Sequence, residues 1–384
     1  MAAALKAVHV SNVLHHPGID NVCENASFTL YSTPQLISKD KDYGLSSSLK
    51  TPKFALIGHR GNGMNKMTSP DPRMKAVKEN SLLSFNAAAA FNIDFVEFDV
   101  QVTKDDIPVI FHDDFILTKE NDMVSERKVT DMTLAEFLRY GPQRETGHMG
   151  KSLFRKAADG RIYNWMVEND DSVCTLQEAF QKVDSSVGFN MELKFDDDFE
   201  YQEQEIVPVL QVILQVVFEH AKGRPIVFST FQPDAARLIR KMQDTYPVFF
   251  LTDGGVDLYK DARRNSLDEA MKLCLANGLQ GIVSEAKAIF RNPGEITRIK
   301  ESNLSLLTYG QLNNVPEAVY MQHLMGIDGV IVDYVKDIVE TVSDITKPVE
   351  DIKEEKEQKN TRPKFSELEL SFLLKLIPEL VQQR

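Results

Sequence analysis

Cysteine is scarce in this chain: Cys23, Cys174 and Cys274 are the only three in 384 residues, and no two form a CxxC pair. That excludes a disulfide framework and thiolate zinc sites, and it points to a reducing compartment. The chain also lacks any run approaching the roughly 18–20 consecutive apolar residues of a membrane span, because Asp, Glu or Lys interrupts the most apolar windows. No charged start leads into an apolar run at the N-terminus, so secretion is not expected. Positive charge is in deficit too. Lys and Arg number 44 against 57 Asp and Glu, a net charge of -13 and a pI near 5.2. Broad electrostatic capture of nucleic acid or of an anionic membrane is thereby disfavoured. With 42% hydrophobic and 26% charged residues, the remainder is that of a folded, water-soluble protein long enough to bury a sizeable core.

Residues 1–50 mix Ser, Pro, His and Asn without sustained periodicity and contain no Arg. They read as a flexible leader, with a plastid transit peptide and a plain tail both open. From residue 53 to about 345, short apolar runs alternate with amphipathic helical stretches, the pattern of a parallel α/β fold. Eight strands are expected: Phe54–Gly58, Phe95–Val100, Gly188–Leu193, Ile226–Ser229, Val248–Leu251, Gly281–Ser284, Leu304–Thr308 and Gly329–Val332. Helical patterns lie between most of them, and the repeat number and length predict a (β/α)₈ TIM barrel. One further strand, Ile107–His112, follows the second barrel strand across a link too short for a parallel crossover, so it must fold back antiparallel. Pairs summing to about 211 would set His112 opposite Asp99. Residues 115–173 break the rhythm and read as an insertion between the second and third barrel strands, a lid over the catalytic face. Residues 350–364 read as a charged linker and 365–384 as a docked terminal helix, with a partner-binding or membrane-surface helix as its alternative.

The chemistry gathers at strand ends. Glu97 and Asp99 stand two apart in Phe95-Val96-Glu97-Phe98-Asp99-Val100, so both carboxylates share one face of a strand. Two such groups buried together need a cation or a shared proton. Glu192 and Lys194 repeat the spacing on the next barrel strand. Three carboxylates suit one divalent cation of the hard kind, Mg²⁺ ahead of Ca²⁺, rather than zinc or copper. Lys194 is a candidate phosphate ligand. His59 and Arg60 follow the first strand between Gly58 and Gly61; Arg offers a fork matched to phosphate, and His can trade a proton with an ester oxygen. His59 and His112 form a candidate acid/base pair. Glu79-Asn80 precedes a helical stretch, where Asn80 or Ser81 can cap it, and Glu79 can face the site. Trp165 and Phe231 are read as core, with an aromatic wall of the site as the alternative for both.

In order, His59-Arg60-Gly61, Glu79-Asn80, Glu97-x-Asp99-Val100, His112-Asp113 and Glu192-x-Lys194 resemble the signature of the glycerophosphodiester phosphodiesterases, and the whole chain is similar to their plant plastid or cytosolic type. The resemblance implies metal-dependent hydrolysis of small glycerophosphodiesters to sn-glycerol 3-phosphate and an alcohol, in phospholipid turnover and phosphate or glycerol metabolism. It implies a metal on Glu97, Asp99 and Glu192, acid/base work by His59 and His112, and phosphate gripped by Arg60 and Lys194. It also implies a plastid location, with the cytoplasm as alternative. Many family members carry Trp-Thr-Val-Asn at a late strand; this chain has Thr308 to Asn314 there, with Tyr309 as the candidate aromatic wall. A phospholipase acting on lysophospholipid and a non-catalytic phosphodiester-binding barrel are the rival readings. The oligomeric state stays open.

Overall fold

The computed structural model describes residues 54–342, apart from 121, 122, 146 and 198. The expected leader, the charged linker at 350–364 and the terminal helix at 365–384 lie outside the described residues. Eight parallel strands form a closed barrel: Ala55–Gly58, Phe95–Val102, Gly188–Leu193, Ile226–Thr230, Val248–Thr252, Gly281–Glu285, Ser305–Tyr309 and Gly329–Val332. Each pairs with the next in chain order. The first strand pairs with both the second and the last, which closes the ring. All eight match the strands expected from the sequence to within a residue or two, and helices such as Glu203–His220, Pro233–Met242 and Leu267–Asn277 separate them.

Strand alternation sorts the side chains. Val96, Phe98 and Val100 join the large apolar core between barrel and helices, while Phe95 shares a second, interior cluster with Ile57, Val227, Phe249, Leu251, Val283, Leu307 and Ile331. By the same period of two, Glu97 and Asp99 lie on the interior side with Phe95. On the third strand Phe189, Met191 and Leu193 pack outward, which leaves Asn190 and Glu192 inward.

The extra strand does run antiparallel to the second barrel strand, but over Pro108–Ile110 only, and its register differs from expectation. Val100 pairs with Ile110 and Val102 with Pro108, so pairs sum to 210, and Phe111 rather than His112 bonds to Asp99. The turn sets this register. Thr103 N–H donates to the Ile107 carbonyl, and Asp106 takes a left-handed conformation with φ 62°. The paired register ends at Ile110, the Phe111 N–H makes one more bond to the Asp99 carbonyl, and the Phe111 ring packs against Trp165.

The stretch after His112 has structure of its own rather than a loop's irregularity. Phe115–Glu120, Met123–Lys128, Phe154–Lys156 and Ile162–Asn164 form a four-stranded antiparallel sheet. Ile116 of this sheet, with Leu153 and Trp165 flanking its strands, packs with Val129, Met132, Phe137, Val109 and Phe111 into a separate small core. Thr175 then opens the helix Leu176–Lys182 through a reciprocal cap with Glu178.

Phe98 is fully buried and meets Phe189 edge-on at 5.0 Å. Phe98→Ala is expected to lower unfolding stability by about 3–5 kcal/mol in urea titration. A loss under about 1 kcal/mol would contradict the outward packing of this strand position.

Candidate active site

Glu97, Asp99 and Glu192 bring one carboxylate oxygen each to within 4.8 Å of one another. The cause is local. Glu97 and Asp99 share a face, and the parallel register sets Asp99 beside Glu192. Glu97 and Asp99 are buried, Glu192 partly so. Burial, then the Asp99 charge, pushes the Glu97 carboxyl well above its usual range. Burial raises Glu192 as well, against the opposing pull of Lys194. Burial would also raise Asp99, but His112, Arg60 and Lys194 hold it low. Asp99 Oδ1 is buried with no hydrogen-bond donor among the described residues. An all-oxygen donor set, two carboxyls that resist ionising together and an orphaned carboxylate oxygen fit a hard divalent cation.

Lys194 Nζ stands 3.1 Å from Glu192 Oε1 and 3.9 Å from Asp99 Oδ1, a mostly buried ion pair and not a surface one. Arg60 is held from several sides. Its backbone N–H donates to Glu97 Oε2 at 2.8 Å, its Nη1 to Glu79 Oε1 at 2.8 Å, and its Nε lies 3.5 Å from Asp99 Oδ2. Arg60 has φ 48°, and an added Cβ at Gly58 would meet the Gly61 carbonyl oxygen at 2.1 Å, so the sharp turn needs that glycine. Ser81 is the helix cap. Asn80, also left-handed at φ 54°, instead sends its side-chain amide to Asp99 Oδ2 at 2.8 Å. Glu79 is buried between Arg60 and Arg155; burial would raise its pKa, but the two guanidinium groups hold it well below the usual range.

Each histidine stands against a carboxylate. His59 Nδ1 is 2.7 Å from Asp333 Oδ1, and His59 Nε2 is 3.9 Å from Glu97 Oε2. Burial alone would lower the His59 pKa; Asp333 outweighs it and raises it. Asp333 sits just past the last barrel strand and is fixed by Asn314, whose amide donates to Oδ2 at 2.8 Å. His112 Nδ1 is 2.7 Å from Asp113 Oδ1. Burial, then the Arg60 charge, pushes His112 down to about 4. Tyr309, at the end of the seventh barrel strand, donates its hydroxyl to Asp253 and meets Phe231 edge-on at 6.0 Å. Tyr309 and Phe231 both pack against the apolar cluster inside the barrel.

Asn80, Asp333, Arg155 and the supporting role of Asp113 are not in the set read from the sequence. Asp113 was within reach, standing beside His112 in the same motif. Asp333 follows directly on a correctly expected strand end, where barrels place their chemistry.

Residues 59–337 match the model of the Glycerophosphoryl diester phosphodiesterase family. The chain belongs to that family. It is 56% identical over 382 residues to the chloroplastic glycerophosphodiester phosphodiesterase GDPD1 of Arabidopsis thaliana, covering 99% of each chain. It is 64% identical over 289 residues to GDPD3 of the same plant, covering 75% of this chain and 78% of the relative. In fold it is similar to an Oleispira antarctica phosphodiesterase solved with the product sn-glycerol-3-phosphate, with a TM-score of 0.53 at 20% identity over 76% of this chain and 97% of that one.

The carboxylate cluster makes metal-free stability depend on pH. Glu97 and Glu192 have raised values, so they bind protons more tightly folded than unfolded. Their contribution is present at acid pH and is lost as pH rises above the ordinary carboxylate range. Asp99, held low, contributes in the opposite sense, at the acid end. In chelator the thermal midpoint is expected to fall between about pH 5 and about pH 8, and saturating Mg²⁺ or Ca²⁺ or the change Glu97→Gln to flatten that fall. A midpoint equally pH-dependent with and without cation would contradict this arrangement.

Proposed function

We propose that this protein hydrolyses glycerophosphodiesters, such as glycerophosphocholine and glycerophosphoethanolamine, to sn-glycerol 3-phosphate and an alcohol. The observation that carries the reading is the convergence of three carboxylates, two carboxylate-held histidines, Arg60 and Lys194 at one mouth of the barrel, in a chain of this family. Glu97, Asp99 and Glu192 would hold one divalent cation, Mg²⁺ ahead of Ca²⁺. When bound, it would neutralise the carboxylates and draw charge from phosphate oxygens. Arg60 and Lys194 supply fixed positive charge for the phosphorus-bound oxygens as they gain negative charge.

Asp333 favours the protonated form of His59, so His59 suits delivery of a proton to the departing alkoxide. His112, neutral at working pH, suits accepting a proton from the attacking hydroxyl. In both, a carboxylate on Nδ1 fixes the ring and leaves Nε2 for the substrate. Tyr309 and Phe231 supply an aromatic wall for the organic part of the diester. No helix among the described residues is long and apolar enough to cross a membrane. A plastid location is supported by the chloroplastic Arabidopsis relative, whose match extends over 99% of the chain.

Purified protein is expected to release glycerol 3-phosphate from glycerophosphocholine or glycerophosphoethanolamine with Mg²⁺ or Ca²⁺ and not in chelator. His59→Ala and His112→Ala should each lower kcat by about 10²- to 10⁴-fold. No release from any glycerophosphodiester with any divalent cation would overturn the reading.

A further inference from the structure

The small sheet that interrupts the barrel sends one residue into the site. Arg155, in the strand Phe154–Lys156, has a side chain only 12% exposed, and all five of its N–H groups are used. Nε and Nη2 donate to Asp113 Oδ2 and Oδ1 at 3.0 and 2.7 Å. Nη1 and Nη2 donate to Glu79 Oε2 and Oε1 at 2.9 and 2.8 Å, and the second Nη1 hydrogen goes to the Asn65 carbonyl at 2.9 Å. The guanidinium carbon lies 4.1 Å from the centre of the Trp165 ring, which is itself tied down by its Nε1 donating to Asn65 Oδ1 at 3.0 Å. One planar fork thus bridges the carboxylate that holds His112 and the carboxylate that holds Arg60. A lysine, with three donors on a point charge, cannot make this bridge.

We propose that Arg155 is a positioning residue for His112, acting through Asp113, and that the inserted sheet therefore completes the catalytic site. This rests on His112 being a proton-transfer group. The Asp113 carboxylate is shared between an imidazole on one side and Arg155 on the other. Without Arg155 nothing else found among the described residues pins both Asp113 oxygens, and the ring loses its fixed orientation toward the substrate. A purely structural Arg155 would only attach the sheet to the barrel. The two roles differ in what they do to turnover.

The test compares Arg155→Ala, Arg155→Lys, Asp113→Ala and the Asp113→Ala/Arg155→Ala double variant by steady-state release of glycerol 3-phosphate. Trp165, the one tryptophan of the chain, reports by its emission that the inserted sheet stays docked. The expected result is a fall in kcat of about 10- to 100-fold in Arg155→Ala, with KM within about threefold. Arg155→Lys should recover little of it. Free guanidinium ion should restore much of the lost kcat to Arg155→Ala, and sodium chloride at equal ionic strength should not. In kcat the double variant should be no slower than Asp113→Ala alone, because Arg155 reaches His112 only through Asp113. Should Arg155→Ala not fold, the kcat loss and the missing additivity are read from Arg155→Lys instead. Multiplicative losses in the double variant, a KM effect with unchanged kcat, or no response to guanidinium would overturn the proposal. A wild-type protein that releases no product under any condition would fail the hydrolase reading itself, whatever Arg155 does.

Discussion

Mutual repulsion among Glu97, Asp99 and Glu192 is the constraint on which the rest of this structure depends. A barrel strand alternates sides at every residue, so the sequence that places Val96, Phe98 and Val100 against the helices must place Glu97 and Asp99 inside. Parallel pairing then brings Glu192 alongside. Three acidic groups in so small a space are tolerable only with compensation, and the surroundings supply it: the Arg60 backbone amide and guanidinium, the Asn80 amide and the Lys194 ammonium all turn toward them. These partners are incomplete, since Asp99 Oδ1 finds no donor among the described residues and Glu97 stays reluctant to ionise. The deficit is one of positive charge, which is what a divalent cation would supply.

Around that centre the chain repeats one device. A carboxylate fixes each histidine through Nδ1, and a further polar group fixes the carboxylate: Asn314 for Asp333, Arg155 for Asp113. Side chains placed this way lose little freedom when substrate arrives, and preorganisation of this kind is where such sites gain most of their effect. The two supports come from different parts of the fold. Asn314 lies in the short turn after the seventh barrel strand, while Arg155 comes from the inserted sheet.

The barrel was legible in the sequence because its signals are local. Runs such as Ile226–Thr230 and Val248–Thr252 are short and apolar, and the amphipathic helix Pro233–Met242 lies between them. The acidic cluster was legible for the same reason, since the spacing Glu97-x-Asp99 is a local property. What depended on turns or on distant contacts was not. The register of Pro108–Ile110 came out one residue away because the Thr103–Ile107 turn decides it, and no side-chain pairing rule sees that turn. The insertion at 115–173 was legible, but not the sheet within it, because strands such as Met123–Lys128 are largely exposed and short of apolar residues. Arg155 and Asp333 lie 42 and 274 residues from the groups they hold, so no spacing could have paired them.

Calorimetric titration of the metal-stripped protein with Mg²⁺ or Ca²⁺, in buffers of different ionisation enthalpy, tests the central claim most directly. One cation per chain is expected to bind with release of protons near neutral pH, because Glu97 resists ionisation until a cation arrives, and Asp99→Asn should abolish or greatly weaken binding. Absence of binding, or binding unchanged in Asp99→Asn, would contradict the account of this cluster as a cation site.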